Sequence, residues 1–132
     1  MKPIEPLIDA VYSALTSLPD LMNLIGTFSD TASDSTPTAI AYNTLPENYK
    51  TPGSDKAYII YNIEFTSPRL NQGKTFLQEV SLKFYIGGYD APRIVDLLMG
   101  QFNNTQIYTY VISPKGMLQL PNGDMTLRFN LI

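Results

Sequence analysis

The chain contains no cysteine, no histidine and no tryptophan. Without cysteine there is no disulfide, no thiolate metal site and no cysteine nucleophile. Without histidine the commonest general base and transition-metal ligand is gone as well. Charge is sparse: charged residues are 16% of the 132, with 9 Lys plus Arg against 12 Asp plus Glu, a net charge of -3 and a pI near 4.7. That balance argues against a protein that grips nucleic acid through its phosphates. Apolar runs are only a few residues long, so none reads as a membrane span. The start, Met1-Lys2-Pro3-Ile4-Glu5-Pro6, is broken by proline and acid and does not read as a signal peptide.

What is present is a core. Apolar residues make up 44% of the chain, enough to exclude global disorder, and the length fits one domain over residues 1–132. From Ile4 to Leu18 the residues Ile4, Leu7, Ile8, Val11, Leu15 and Leu18 recur at three- and four-residue steps, the stripe of an amphipathic helix. Pro19 opens a second short helix to Ile25, with Gly26 as its expected stop. Residues 27–37 are nearly all small and polar and predict an exposed loop. After a brief strand at Thr38 to Tyr42, residues 43–56 predict a long structureless excursion, a type of segment that is either functional or disordered.

From Ala57 the period changes to two. Ala57, Ile59, Tyr61, Ile63 and Phe65 share one strand face, with Tyr58, Ile60, Asn62 and Glu64 on the other. Residues 67–74 predict a hairpin loop. The next strand places Phe76, Val80, Leu82, Phe84 and Ile86 together, opposite Thr75, Glu79, Ser81, Lys83 and Tyr85, and ends at Gly87-Gly88. Asp90 predicts a helix cap and Pro92 a first turn, with Ile94, Val95, Leu98 and Phe102 as the buried stripe. Three strands follow, at about Gln106 to Ile112, Met117 to Leu120 and Met125 to Leu131, the last two joined by the turn Pro121-Asn122-Gly123-Asp124. The expected fold class is α+β, a mainly antiparallel sheet with helices packed on one face.

Chemistry is hard to find in this pattern. Catalysis by paired carboxylates would need one of each pair buried. Asp30 and Asp34 fall in a polar stretch, and Glu64 and Glu79 map to a polar strand face. The run Asp30 to Asp34 lacks the ligand count and central glycine of a calcium loop. The expectation is no enzyme: no catalytic residue, no metal site and no cofactor. The nine tyrosines suit strands intrinsically, but Tyr85 projects from a polar face, and Tyr108 and Tyr110 share a face opposite Val111, as interface tyrosines do.

Three stretches carry a family resemblance. They are Leu18-Pro19-Asp20-Leu21-Met22-Asn23-Leu24-Ile25-Gly26 after an amphipathic helix, the strand Ala57-Tyr58-Ile59-Ile60-Tyr61 after a long polar loop, and the strand–glycine–helix step from Leu82 through Gly87-Gly88 to Ile94. In this layout the chain resembles the tail-terminator proteins of long-tailed bacteriophages, also grouped as tail-completion or head–tail joining proteins. The resemblance implies a non-enzymatic virion component of the tail and neck, assembled in the host cytoplasm. It would form a homo-oligomeric ring, a hexamer, that caps the tail tube protein and meets the head connector or stopper protein. DNA would pass through the ring without specific binding, and no membrane is involved. A head-completion or stopper protein, or another neck protein, is the nearest alternative. From a different class, a monomeric protein-binding or regulatory module remains.

The expected interface residues follow from the cost of ordering polar loops. Leu45, Tyr49 and Leu70 are the large apolar side chains in the excursion and the hairpin loop, with Lys50, Lys56, Arg69 and Lys74 around them to face acidic neighbours. Tyr85 joins them from its strand.

Overall fold

The computed structural model describes residues 5–30, 37–45, 49–53, 55–65, 69–71, 75–77, 80–107 and 110–131. Helix α1 (Glu5–Thr16) buries Leu7, Val11 and Leu15, as its stripe predicts, and exposes Glu5, Asp9 and Tyr12. Ile4 lies outside the described residues. Helix α2 (Pro19–Leu24) starts at the predicted proline, but Gly26 is not a left-handed stop. The helix ends through an extended Ile25, and the Gly26 amide then donates to the Ala57 carbonyl at 2.9 Å.

The next region corrects two expectations. Residues 27–37 do not form a wholly exposed loop, because Phe28 is a core residue at 1% exposure and its amide donates to the Pro37 carbonyl. Strand β1 (Ser29–Asp30) pairs with β3 (Tyr49–Lys50), so the stretch 43–56 is not structureless either. Between them, β2 (Ile40–Tyr42) runs parallel to β4 (Ala57–Phe65) at the edge of the main sheet. The expected hairpin loop itself contains paired backbone: β5 (Arg69–Asn71) pairs with β6 (Thr75–Leu77), separate from β7 (Val80–Gly88). The single strand expected from Thr75 to Ile86 is thus two.

After β7 comes helix α3 (Ala91–Phe102), which buries Ala91, Ile94, Val95, Leu98 and Phe102. Asp90 precedes it in a left-handed conformation (φ 57°) and its side chain makes no cap, contrary to expectation. The chain closes with β8 (Thr105–Ile107), β9 (Tyr110–Gln119) and β10 (Met125–Leu131). The expected strand from Gln106 to Ile112 is in fact the β8–β9 pairing, and β9 extends on through Pro114 and Gly116.

The result is an α+β fold: a curled, six-stranded, mostly antiparallel sheet in the order β2-β4-β7-β10-β9-β8 with helices packed on it. Ile59, Tyr61, Leu82, Phe84, Ile86, Leu127 and Phe129 point to the helices and are buried. Phe84 sits at the centre, with ring centroids 5.5 Å from Phe102, 5.9 Å from Phe129 and 6.1 Å from Tyr61. The Tyr61 hydroxyl donates to the Ile8 carbonyl, tying α1 to β4. Ile8 and Val80, expected to be buried, are only partly so and lie at the margin of this cluster.

Candidate functional site

Among the described residues the opposite face of the sheet carries no helix, and its composition follows from strand register. Tyr85 of β7 lies between Ile60 of β4 and Thr126 of β10, and Thr126 in turn faces Leu118 of β9. One step along, Asn62, Lys83, Arg128 and Gly116 form the next row. Where β9 meets β10 the register shifts between Arg128 and Phe129, a bulge that bends the strand pair.

These rows form two hollows that share Lys83 and Tyr85. The larger, about 500 Å³, is lined by Lys83, Tyr85, Lys115, Gly116, Met117, Leu118, Leu120, Thr126 and Arg128. The smaller, about 300 Å³, adds Asn43, Ile60 and Asn62. Glu64 sits between two of the cations, 3.8 Å from Lys83 Nζ and 3.4 Å from an Arg128 guanidinium nitrogen.

One end of the groove is fixed by the β9–β10 turn. The predicted turn is present, with Gly123 at φ 92° and the Leu120 amide donating to the Asp124 carbonyl at 2.7 Å. It presents the Asp124 carboxylate to the Tyr85 hydroxyl, which donates at 2.5 Å, and to Asn122 Nδ2 at 3.1 Å. This bond favours the protonated phenol, and with some burial it pushes the Tyr85 pKa up to about 12. Tyr58 packs beside it with ring centroids 6.2 Å apart, and burial raises its pKa too. The Tyr58 ring lies over Gly87, where any Cβ would come within 2.4 Å of it. Tyr85 is therefore a neutral hydrogen-bond donor at ordinary pH.

Strand β9 adds exposed apolar side chains at the groove and along its edge. Met117 and Leu118 are 59% and 60% exposed, and Val111 is exposed on the same strand. Strand β8 pairs with β9 only at Tyr110–Ile112, so among the described residues β9 beyond Ile112 has β10 as its sole neighbour. A strand edge with exposed large side chains is a template for association.

The expected site residues fall in three groups. Tyr85 stands in the groove. Leu45 and Tyr49 are half-buried against the chain's own core, and the exposed Lys56 reaches back to donate to the Asn23 carbonyl at 3.0 Å. Lys50 is exposed on β3; Arg69 and Leu70 belong to β5; Lys74 lies outside the described residues. Leu45, Tyr49 and Lys56 do not line the groove, though Asn43 at the start of the same stretch does. Tyr110 is buried while Val111 points out, the reverse of an interface tyrosine, and Tyr108 lies outside the described residues. Sequence reasoning missed Lys83, Lys115, Met117, Leu118 and Arg128. The alternation on β10 placed Arg128 outward, but nothing local revealed which strands would flank it.

Among the described residues no three His, Cys, Asp or Glu side chains converge, and no helix is long and apolar enough to cross a membrane. The groove offers cations, a neutral phenol and apolar side chains, which is the chemistry of binding. No family model, curated protein or solved structure matches the chain.

Proposed function

We propose that the chain is a non-enzymatic structural subunit, a tail terminator of a long-tailed bacteriophage, which forms a hexameric ring on the tail tube and presents a surface to the head connector. The observation that carries the reading is the bare sheet face, where a cationic groove includes exposed Leu118, next to exposed Met117 on a strand edge. A subunit built for a ring needs such an unsatisfied surface. The element order supports it too: an amphipathic helix, a short proline-led helix, and a strand running through Gly87-Gly88 into α3. Its place would be the virion neck, with tail tube protein and connector or stopper protein as partners.

The test is mass in solution against concentration, with and without polymerising tail tube protein. A terminator forms a discrete ring and stops tube growth at a defined length. A protein that stays monomeric and leaves tube growth unchanged is not one, and a monomeric binding module then becomes the better reading.

A further inference from the structure

We propose that the subunit assembles head to tail, the exposed stripe of α1 on one copy seating in the groove on the bare sheet face of the next. This deepens the ring reading above and rests on it. Three observations carry it.

The first is charge. Between Lys2 and Lys50 the chain has six carboxylates (Glu5, Asp9, Asp20, Asp30, Asp34, Glu47) and no basic residue. The groove gathers Lys83, Lys115 and Arg128; among the described residues Glu64 pairs with Lys83 and Arg128, and Asp124 with Tyr85 and Asn122. Three of the nine basic residues thus line the groove on one side of the sheet, while α1 on the other side carries Glu5 and Asp9 and no basic residue.

The second is shape. Helix α1 exposes Glu5, Asp9 and Tyr12, which at spacings of four and three form one stripe with an aromatic at its end. From β7 across β10 to β9 is two strand spacings, about 10 Å, the width of one helix. Leu118, exposed on the groove's β9 side, offers Tyr12 an apolar neighbour.

The third is topology. Helix α1 lies on the covered side of the sheet and the groove on the bare side, so no subunit can fill its own groove with its own helix. The contact uses two different surfaces and must propagate to another copy, closing into a ring where the rotation permits. Like charges juxtaposed across the same surfaces would repel, which fixes the pairing as helix to groove.

Charge exchange tests this directly. One variant reverses the groove (K115E/R128E) and another reverses the helix (E5K/D9K); all four side chains lie at the surface, and circular dichroism checks that both variants fold. Sedimentation of each alone should show self-association weakened about tenfold or more, with wild-type assembly falling as salt rises. An equimolar mixture of the two should recover association, since each variant's helix then complements the other's groove. Leu118→Ser should weaken wild-type assembly without any change of charge. If wild-type protein associates but either reversal leaves it unaffected, or the mixture fails to recover, the pairing is wrong while the ring reading stands. Wild-type protein that stays monomeric at all concentrations overturns the pairing even if it still stops tube growth. Recovery by the mixture together with failure to stop tube growth keeps the pairing and removes the terminator reading. Binding of an oligonucleotide that K115E/R128E abolishes, with self-association unchanged, would assign the groove to nucleic acid and overturn the proposal.

Discussion

The same strands that build the core also build the groove, and the two faces of the sheet differ in almost every respect. On the helix side Leu82, Phe84 and Ile86 of β7 are fully buried among aromatic rings. On the other side their immediate neighbours, Lys83 and Tyr85, are half-exposed and make polar contacts with Glu64 and Asp124. A shift of one residue in register would exchange the two sets, so the register of β4, β7 and β10 is strongly specified. One face accounts for stability, and the other carries charged and polar side chains together with exposed Leu118.

The contrast can be broken at β7 by two adjacent substitutions. Phe84→Ala removes the ring that meets Phe102, Phe129 and Tyr61, and should cost about 3–5 kcal/mol in urea unfolding. Tyr85→Phe, next to it, should change stability by less than about 1 kcal/mol, the worth of one partly exposed hydrogen bond. Equal effects at the two positions would mean that the faces are not divided as described.

A third substitution probes where the faces meet. Gly88 has φ of 90°, and a Cβ there would lie 2.5 Å from the Lys56 carbonyl oxygen and 3.0 Å from the Ala57 Cα. Both neighbours are backbone and cannot swing away. Gly88→Ala should therefore destabilise by about 1–3 kcal/mol. Gly116 has open space around its Cα, so Gly116→Ala serves as the control and should be near neutral.

This division also explains what the sequence could and could not disclose. Alternation along β4, β7 and β10 separates the faces by itself, and the helical stripes of α1 and α3 stand out because their apolar residues repeat at short spacing. What stayed hidden depends on long-range pairing. The parallel contact of β2 with β4, the β1–β3 pair within two polar stretches, and the burial of Phe28 have no local signature. Tyr110 and Val111 illustrate the limit: alternation puts them on opposite faces, but only the β8–β9 pairing decides that the tyrosine goes in. The groove was legible in parts, Tyr85 and Arg128 outward on their strands, and not as a whole. Its membership requires knowing that β10 lies between β7 and β9.

Ion pairing on the bare face should matter less than any of the packing. Glu64 bridges Lys83 and Arg128, but all three side chains are about a third exposed or more. Exposed pairs of this kind contribute about 0–1 kcal/mol and are screened by salt. Glu64→Gln should lower stability by less than about 1 kcal/mol, with the difference shrinking at high ionic strength. The substitution also raises the positive charge of the groove, so by the charge argument it should strengthen self-association rather than weaken it.

The smallest effect is confined to alkaline pH, and it isolates the end of the groove. Asp124 accepts a hydrogen bond from the protonated Tyr85 phenol, and ionising that phenol would set two anions side by side. The folded-state pKa of about 12 lies above the ordinary value of 10.0. A folded pKa above the unfolded one means that the pair's contribution is complete below about pH 10 and fades as pH rises toward 12. Stability at neutral pH should therefore show no titration from Tyr85. Removing the negative charge in Asp124→Asn should bring the phenol's ionisation back toward 10, visible as earlier growth of phenolate absorbance, while Tyr85→Phe removes one late-titrating phenol and leaves those of Tyr58 and Tyr61, which burial raises. Should the absorbance curve of Asp124→Asn superimpose on that of the wild-type protein, the carboxylate does not hold Tyr85, and the turn at Pro121–Asp124 loses its role in shaping the groove.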